Sequence, residues 1–196
     1  MAHILLYGGT FDPVHNGHLI TCQAALEFLR AELLIFIPAR VSPHKRGEPP
    51  RASGEDRAEM LRLATRGMPH FQIDARELFR QGPSYTIDTV LQIQLERPAD
   101  HFTLLLGEDQ LPKFHTWHQA DALRKLVDVA VMPRPGSGNT GMEAVGRADA
   151  GLIRLPTPWV DISATEIRQR VGRGFAIDDL VPASVAAYIV EHRLYT

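Results

Sequence analysis

Two histidines three residues apart, His15 and His18, bracket Gly17 in the stretch Gly8-Gly9-Thr10-Phe11-Asp12-Pro13-Val14-His15-Asn16-Gly17-His18. An apolar run precedes the stretch and a helical period follows it, so it is predicted to join a strand to a helix. Two glycines let backbone N–H groups approach an anion closely, and the start of the helix adds partial positive charge. The geometry implies a phosphate site, with both imidazoles able to point into one anion pocket and donate to phosphate oxygens. Read alone, the segment is also a glycine-rich turn with two surface histidines. A metal centre is a weaker reading, because Asp12 is the one obvious third ligand. No Gly-Lys-Ser/Thr of a Walker loop follows, and the G-x-G-x-x-G of a dinucleotide fingerprint is absent.

A second cluster lies far away, in Ile162-Ser163-Ala164-Thr165-Glu166-Ile167-Arg168. The spacing predicts a helix start with a serine cap and a first-turn glutamate. Hydroxyls and N–H groups there, with Arg168 one turn in, can grip the outer phosphates of a triphosphate. Alone, the motif is a cap followed by an exposed arginine. At Ser84-Tyr85-Thr86 another helix start is predicted, with Ser84 as its cap, and N–H groups at that start can bind a carboxylate.

The elements that must hold these groups alternate. Residues 3–7 and 33–37 are apolar runs bounded by Gly8 and Pro38, read as buried strands. Leu19, Cys22, Leu26 and Leu29 recur at helical spacing between them. Further strands are predicted at 70–74, 102–106, 127–132 and near 151–155. Helices are predicted from Ser53 to about Arg66, from Ser84 to Pro98, around Ala122, Leu123 and Leu126, from Ser163, and from Ser184 to His192. Residues 38–52 and 133–141 read as loops rich in Pro, Gly and Ser. The fold class is α/β, an open, doubly wound parallel sheet covered on both faces with small helices appended at the C-terminus.

The 196 residues suit one domain with a core, and the balance of 21 Lys+Arg against 23 Asp+Glu excludes a protein built to coat nucleic acid. The single cysteine, Cys22, sits among apolar residues and is expected to be a buried thiol. The first residues lack a charged leader region and a span-length apolar run, so a soluble, cytoplasmic protein without membrane partners is expected.

The first stretch resembles the (T/H)-x-G-H signature of the nucleotidylyltransferase superfamily, with Ile162 to Arg168 as its second half. Within that superfamily the chain is similar to the nicotinate-nucleotide adenylyltransferases. Ser42-Pro43-His44-Lys45 resembles their P-P-H-K loop, with Ser for the first Pro. Ser84-Tyr85-Thr86-Ile87-Asp88-Thr89 matches S-Y-T-x-x-T, and Gly107-Glu108-Asp109 with Trp117 matches G-x-D and its tryptophan. Arg134-Pro135-Gly136, Val181-Pro182 and Leu194-Tyr195 match as well, so the resemblance spans nearly the whole chain. Ala164 departs from the Ser or Thr more usual in the family.

The resemblance implies a Rossmann-like fold in a single domain, with a core of about residues 1–160 and a C-terminal helical part of about 161–196. It implies adenylyl transfer from ATP to nicotinic acid mononucleotide, giving deamido-NAD and pyrophosphate, with Mg²⁺ carried by ATP rather than by a protein metal site. It assigns His15, His18, Lys45 and Arg168 to phosphate stabilisation. Backbone contacts to ATP would come from Gly8, Gly9, Thr10 and Phe11, and further ATP contacts from Gly107, Asp109 at a ribose hydroxyl, Arg134, Ile162, Ser163 and Thr165. His44, Lys45, Ser84, Tyr85, Thr86 and Trp117 would bind the acceptor, its ring on Trp117 and its carboxylate on the N–H groups of Tyr85 and Thr86. Rival readings are a nicotinamide mononucleotide or phosphopantetheine acceptor, or a nucleotide-binding regulatory module.

Overall fold

The computed structural model describes residues 1–41, 49–133, 147–148, 152–158 and 160–196, with only the backbone of 147 and 148. In chain order the elements are β1 (His3–Gly9), α1 (Asn16–Leu29), β2 (Leu33–Pro38), α2 (Gly54–Ala64), β3 (Phe71–Ile73), α3 (Arg76–Phe79) and α4 (Thr86–Glu96). Then follow β4 (His101–Gly107), a 3-10 helix (Glu108–Thr116), α5 (Ala120–Leu126), β5 (Asp128–Met132), β6 (Arg147–Ala148), β7 (Leu152–Arg154), α6 (Ala164–Gly172) and α7 (Ala183–Glu191). The expected strands and longer helices are present, with ends shifted by a few residues.

The strands form one sheet in the order β3-β2-β1-β4-β5-β7-β6. All pairs are parallel except β6 with β7. The antiparallel β6 departs from the all-parallel expectation. Alternation along β1 divides the core. Leu5 and Tyr7 face α1, α2, α6 and α7 through Leu26, Met60, Ile167 and Ile189, whereas Ile4 and Leu6 face α4 and α5 through Ile93 and Leu123. Each such fully buried aliphatic side chain contributes about 1.5–3 kcal/mol over leaving it in water. Cys22 is fully buried on the first of these faces, and burial pushes its thiol pKa well up.

After β1 the chain builds β2 and β3 on one side, then crosses to β4 and β5 on the other. The reversal falls between β1 and β4, and there the carboxyl ends of strands open a crevice for a ligand. Register brings those ends level, with Gly9 opposite Pro38 and Gly107 opposite Met132.

Local signals explain the helix ends near this edge. Ser53 accepts from Asp56 N at 3.0 Å at the start of α2, and Ser163 accepts from Glu166 N at 3.1 Å at the start of α6. The predicted cap at Ser84 is not found. Tyr85 is the N-cap of α4 and places no side-chain hydrogen bond on it, while Ser84 is buried one residue earlier. Three elements escape the sequence reading: α3, a single turn, the 3-10 helix, where Pro112 interrupts any helical period, and the two-residue β6.

Candidate active site

The glycines at the end of β1 have different duties. Around Gly8 nothing among the described residues lies within 4 Å of where a Cβ would stand, which leaves room there for a ligand. At Gly9 a Cβ would meet the Phe11 ring at 2.7 Å, so glycine lets that ring lie on the backbone. Phe11 takes a left-handed backbone, φ 50°, and buries its ring edge-on to Tyr7, His18 and Phe36. This turns the chain back over the strand end and into α1.

His15 is the N-cap of α1, and its ring stacks on that of His18 with centroids 3.6 Å apart. A Cβ on Gly17 would stand 3.0 Å from His15 Nδ1, which is why the residue between the histidines is glycine. His18 Nδ1 accepts from the His15 backbone N–H at 3.3 Å. A neutral His18 therefore carries its hydrogen on Nε2, the nitrogen that can donate to an incoming oxygen. The two imidazoles thus lie against one another, with His15 buried and His18 half-buried.

The second cluster reaches the first directly. Arg168 Nη1 donates to the Asp12 carbonyl oxygen at 2.7 Å, joining residues 156 apart in the chain. Its Nη2 donates to Thr165 Oγ1 at 3.2 Å. The Ser163 and Thr165 oxygens thus each hold a partner within α6 itself. Ile162 packs partly buried against the core on the α6 side.

Asp12 is the hub of this region. Its carboxylate accepts from Arg51 N at 2.8 Å, Ala52 N at 3.1 Å and Tyr195 Oη at 2.8 Å. Arg57, 2% exposed, donates from Nη1 to the carbonyl oxygens of Thr10 at 2.7 Å and Ala39 at 2.8 Å. Burial lowers its pKa and the Asp12 charge opposes that shift. The first loop is therefore bonded to both flanks of the segment that follows β2. Sequence reasoning missed Asp12, Arg57 and Tyr195 in these roles. Arg57 left a signal, because it shares one helical stripe with Met60, Leu61 and Ala64.

On the other side of the switch point, Gly107 ends β4 and Asp109 is exposed in the first turn of the 3-10 helix, accepting from Gln110 Nε2 at 2.6 Å. Trp117 ends that helix rather than lying in a plain loop. It packs edge-on to Phe114 at 5.2 Å, and the Tyr85 ring lies 4.3 Å from that of His118, a residue the sequence reading did not single out. Tyr85 and Trp117 both sit partly buried against the same core face, which brings the start of α4 and the end of the 3-10 helix into one neighbourhood. Beneath α4, Thr89 donates to Glu77 Oε1 at 2.6 Å, and burial raises the Glu77 pKa against the pull of Thr89 and Arg80. His44, Lys45 and Arg134 lie outside the described residues, as does most of the segment predicted as loop at 133–141.

Among the described residues no three His, Cys, Asp or Glu side chains converge as a metal site, and the Asp12 oxygens already accept from N–H and O–H groups. No helix among them is long and apolar enough to cross a membrane.

Residues 6–170 match the cytidylyltransferase-like family model. The chain is 41% identical to the probable nicotinate-nucleotide adenylyltransferase of Geobacillus thermodenitrificans over 195 residues, covering all of this chain and 87% of that one. It is 44% identical to the protein of the same name from Bordetella petrii, with each chain wholly covered. The fold is similar to that of Plasmodium falciparum nicotinic acid mononucleotide adenylyltransferase solved with APC, at a TM-score of 0.72 and 17% identity over all of this chain and 98% of that one. The complex of that protein with NaAD gives 0.71 and 18% over the same shares. With an adenylyltransferase-like loop at the switch point and relatives matched along its full length, the chain belongs to the cytidylyltransferase-like family and, within it, to the nicotinate-nucleotide adenylyltransferases.

Proposed function

We propose that this chain transfers the adenylyl group of ATP to nicotinic acid mononucleotide, releasing pyrophosphate and forming deamido-NAD, a step in NAD biosynthesis. The observation that supports the reading is the bond from Arg168 to the Asp12 carbonyl oxygen, which ties the second cluster to the loop that carries the stacked His15 and His18 rings.

An acceptor phosphate is already ionised at neutral pH, so attack on the α-phosphorus needs no side-chain nucleophile. The protein's part is to align the two phosphates and to stabilise charge as it builds on the α-phosphate and the leaving pyrophosphate. His18 Nε2 and the Arg168 guanidinium donate there, and Gly8, Gly9, Thr10 and Phe11 present backbone to the nucleotide. His15, Lys45 and Arg134 join the phosphate side, with Gly107, Asp109, Ile162, Ser163 and Thr165 around the nucleotide. The uncapped start of α4 at Tyr85 and Thr86 takes the pyridine carboxylate, with Ser84, Trp117 and His44 around the acceptor. The α4 start suits an anion because no side-chain oxygen occupies it, unlike the starts of α2 and α6.

The donors here are imidazole, guanidinium and N–H, a set that binds phosphate oxygens and leaves a divalent cation to the nucleotide and water. Mg²⁺ supplies charge neutralisation on the triphosphate when it arrives with ATP. The whole chain, its C-terminal helices included, acts as one catalytic domain in the cytoplasm.

The test is pyrophosphate release with ATP and Mg²⁺, using nicotinic acid mononucleotide, nicotinamide mononucleotide and phosphopantetheine in parallel. Highest kcat/KM with the acid mononucleotide is expected. Equal or higher kcat/KM with either other acceptor rejects the acceptor assignment, and no release with any of them rejects transfer.

A further inference from the structure

Tyr195 lies beyond α7, yet its side chain is buried in the core and reaches the first loop. Its hydroxyl donates to Asp12 Oδ1 at 2.8 Å across 183 residues. Burial and the Asp12 charge push the phenol pKa far above its ordinary value, so it stays a donor throughout the working range of pH.

Asp12 offers Arg168 two acceptors. Arg168 Nη1 stands 2.7 Å from the backbone carbonyl oxygen and 4.0 Å from carboxylate Oδ2. The carbonyl holds the cation while the carboxylate is occupied by Arg51 N, Ala52 N and Tyr195 Oη. Without the phenol, Oδ1 keeps, among the described residues, only Ala52 N, at the longer distance of 3.1 Å. A buried carboxylate short of donors draws a nearby cation, because charge-assisted bonds there are strong. Arg57 is committed to Thr10 and Ala39 through Nη1. Arg168 already stands within ion-pair range of that carboxylate, with Nη1 4.0 Å from Oδ2.

We propose that Tyr195 is a positioning residue for adenylyl transfer: by filling Asp12 Oδ1 it prevents the carboxylate from capturing Arg168, and so keeps that guanidinium available to the nucleotide phosphates. This rests on the proposed function for the role of Arg168. It also gives Asp12 a purpose, since its negative charge beside a phosphate pocket is tolerable only while its oxygens are turned inward and occupied.

The experiment is a double-mutant cycle on the full chain with Tyr195→Phe and Arg168→Ala, read by pyrophosphate release and separately by equilibrium ATP binding, with Tm measured for each variant. Phe keeps the ring in the core and removes only the hydroxyl. Tyr195→Phe is expected to lower kcat about tenfold, within the range for coupled groups in one hydrogen-bond network, with the KM for the acceptor unchanged. In the Arg168→Ala background the same substitution should cost almost nothing in kcat or ATP affinity. Losses that simply multiply in the two backgrounds overturn the proposal, as does a lowered Tm with unchanged kcat at temperatures where the variant is folded. If the wild type releases no pyrophosphate with the acid mononucleotide, the proposed function fails, and the ATP-binding cycle still judges the coupling of Tyr195 to Arg168.

Discussion

The Thr89 hydroxyl donates to the buried Glu77 carboxylate at 2.6 Å and accepts from Arg80 Nη1 at 2.9 Å, forming a relay beneath the first turns of α4. Thr89 is the last residue of Ser84-Tyr85-Thr86-Ile87-Asp88-Thr89, and the buried Ser84 is the first. Both ends of the motif are thus buried, Thr89 on Glu77 and Ser84 one residue before the N-cap of α4. Removing the hydroxyl with Thr89→Val leaves a buried carboxylate short of a donor and should cost about 1–3 kcal/mol in denaturant unfolding.

Glu77 also makes a signed prediction with pH. Its folded pKa is raised by burial, so its contribution to stability is full below the unfolded value near 4.5 and is lost as pH rises through the folded pKa. Glu77→Gln has no such loss. The Tm of the variant relative to wild type should therefore climb as pH rises from below 4.5 toward neutrality; a flat difference would reject the burial argument.

Gly17 separates helix stability from activity. Alanine is a better helix former by about 1 kcal/mol, but its Cβ would stand 3.0 Å from His15 Nδ1. Gly17→Ala should hold or raise Tm while lowering kcat about 10–100-fold, since displacing a positioned group by a fraction of its reach is costly. His18→Ala, which deletes the donor itself, should lower kcat about 10²–10³-fold with little change in ATP binding. Calorimetry and steady-state kinetics on both variants check the pair.

The acceptor site permits a substitution that removes one N–H and little else. Thr86 is the first residue of α4, where proline is well tolerated, and Tyr85 before it has φ −85° and ψ 129°, the conformation that a following proline favours. Thr86→Pro should fold normally and lose most of the preference for acid over amide mononucleotide, a preference of about tenfold to a hundredfold. Thr86→Ala, which keeps the N–H, should retain it. Ratios of kcat/KM for the two acceptors decide.

His3 lies at the opposite end of the sheet and supplies a control. Burial and the neighbouring His101 lower its pKa, with Asp128 and Glu32 pulling the other way. The unfolded chain therefore binds the proton first, and stability is lost as pH falls below about 6.5. His3→Gln, which can keep the bond to Thr103 Oγ1, should flatten the fall in Tm between pH 7 and pH 5 without altering kcat.

Periodicity made β1, α1, β2 and α7 legible in the sequence, because each buries a full face or both faces against the sheet. It could not show α3, too short to display a period, or β6, a two-residue pairing fixed by its partner β7 rather than by its own residues. At the site, His15, Gly17 and His18 were readable because their spacing is local. The meeting of Arg168 with Asp12 was not, since it depends on how α6 packs against the sheet, and Tyr195 carries no local sign of the carboxylate it serves. Ser84 shows the opposite error: a good capping residue is buried one position before the helix starts, and Tyr85 stands at the cap instead.

The sheet ends in β3, three residues long, on one side and β6, two residues long and running against its neighbour, on the other. An edge needs several unpaired N–H and C=O groups in a row to recruit a strand from another chain, and these rims offer very few. Among the described residues, strand-to-strand accretion at these two rims is thereby disfavoured at high concentration.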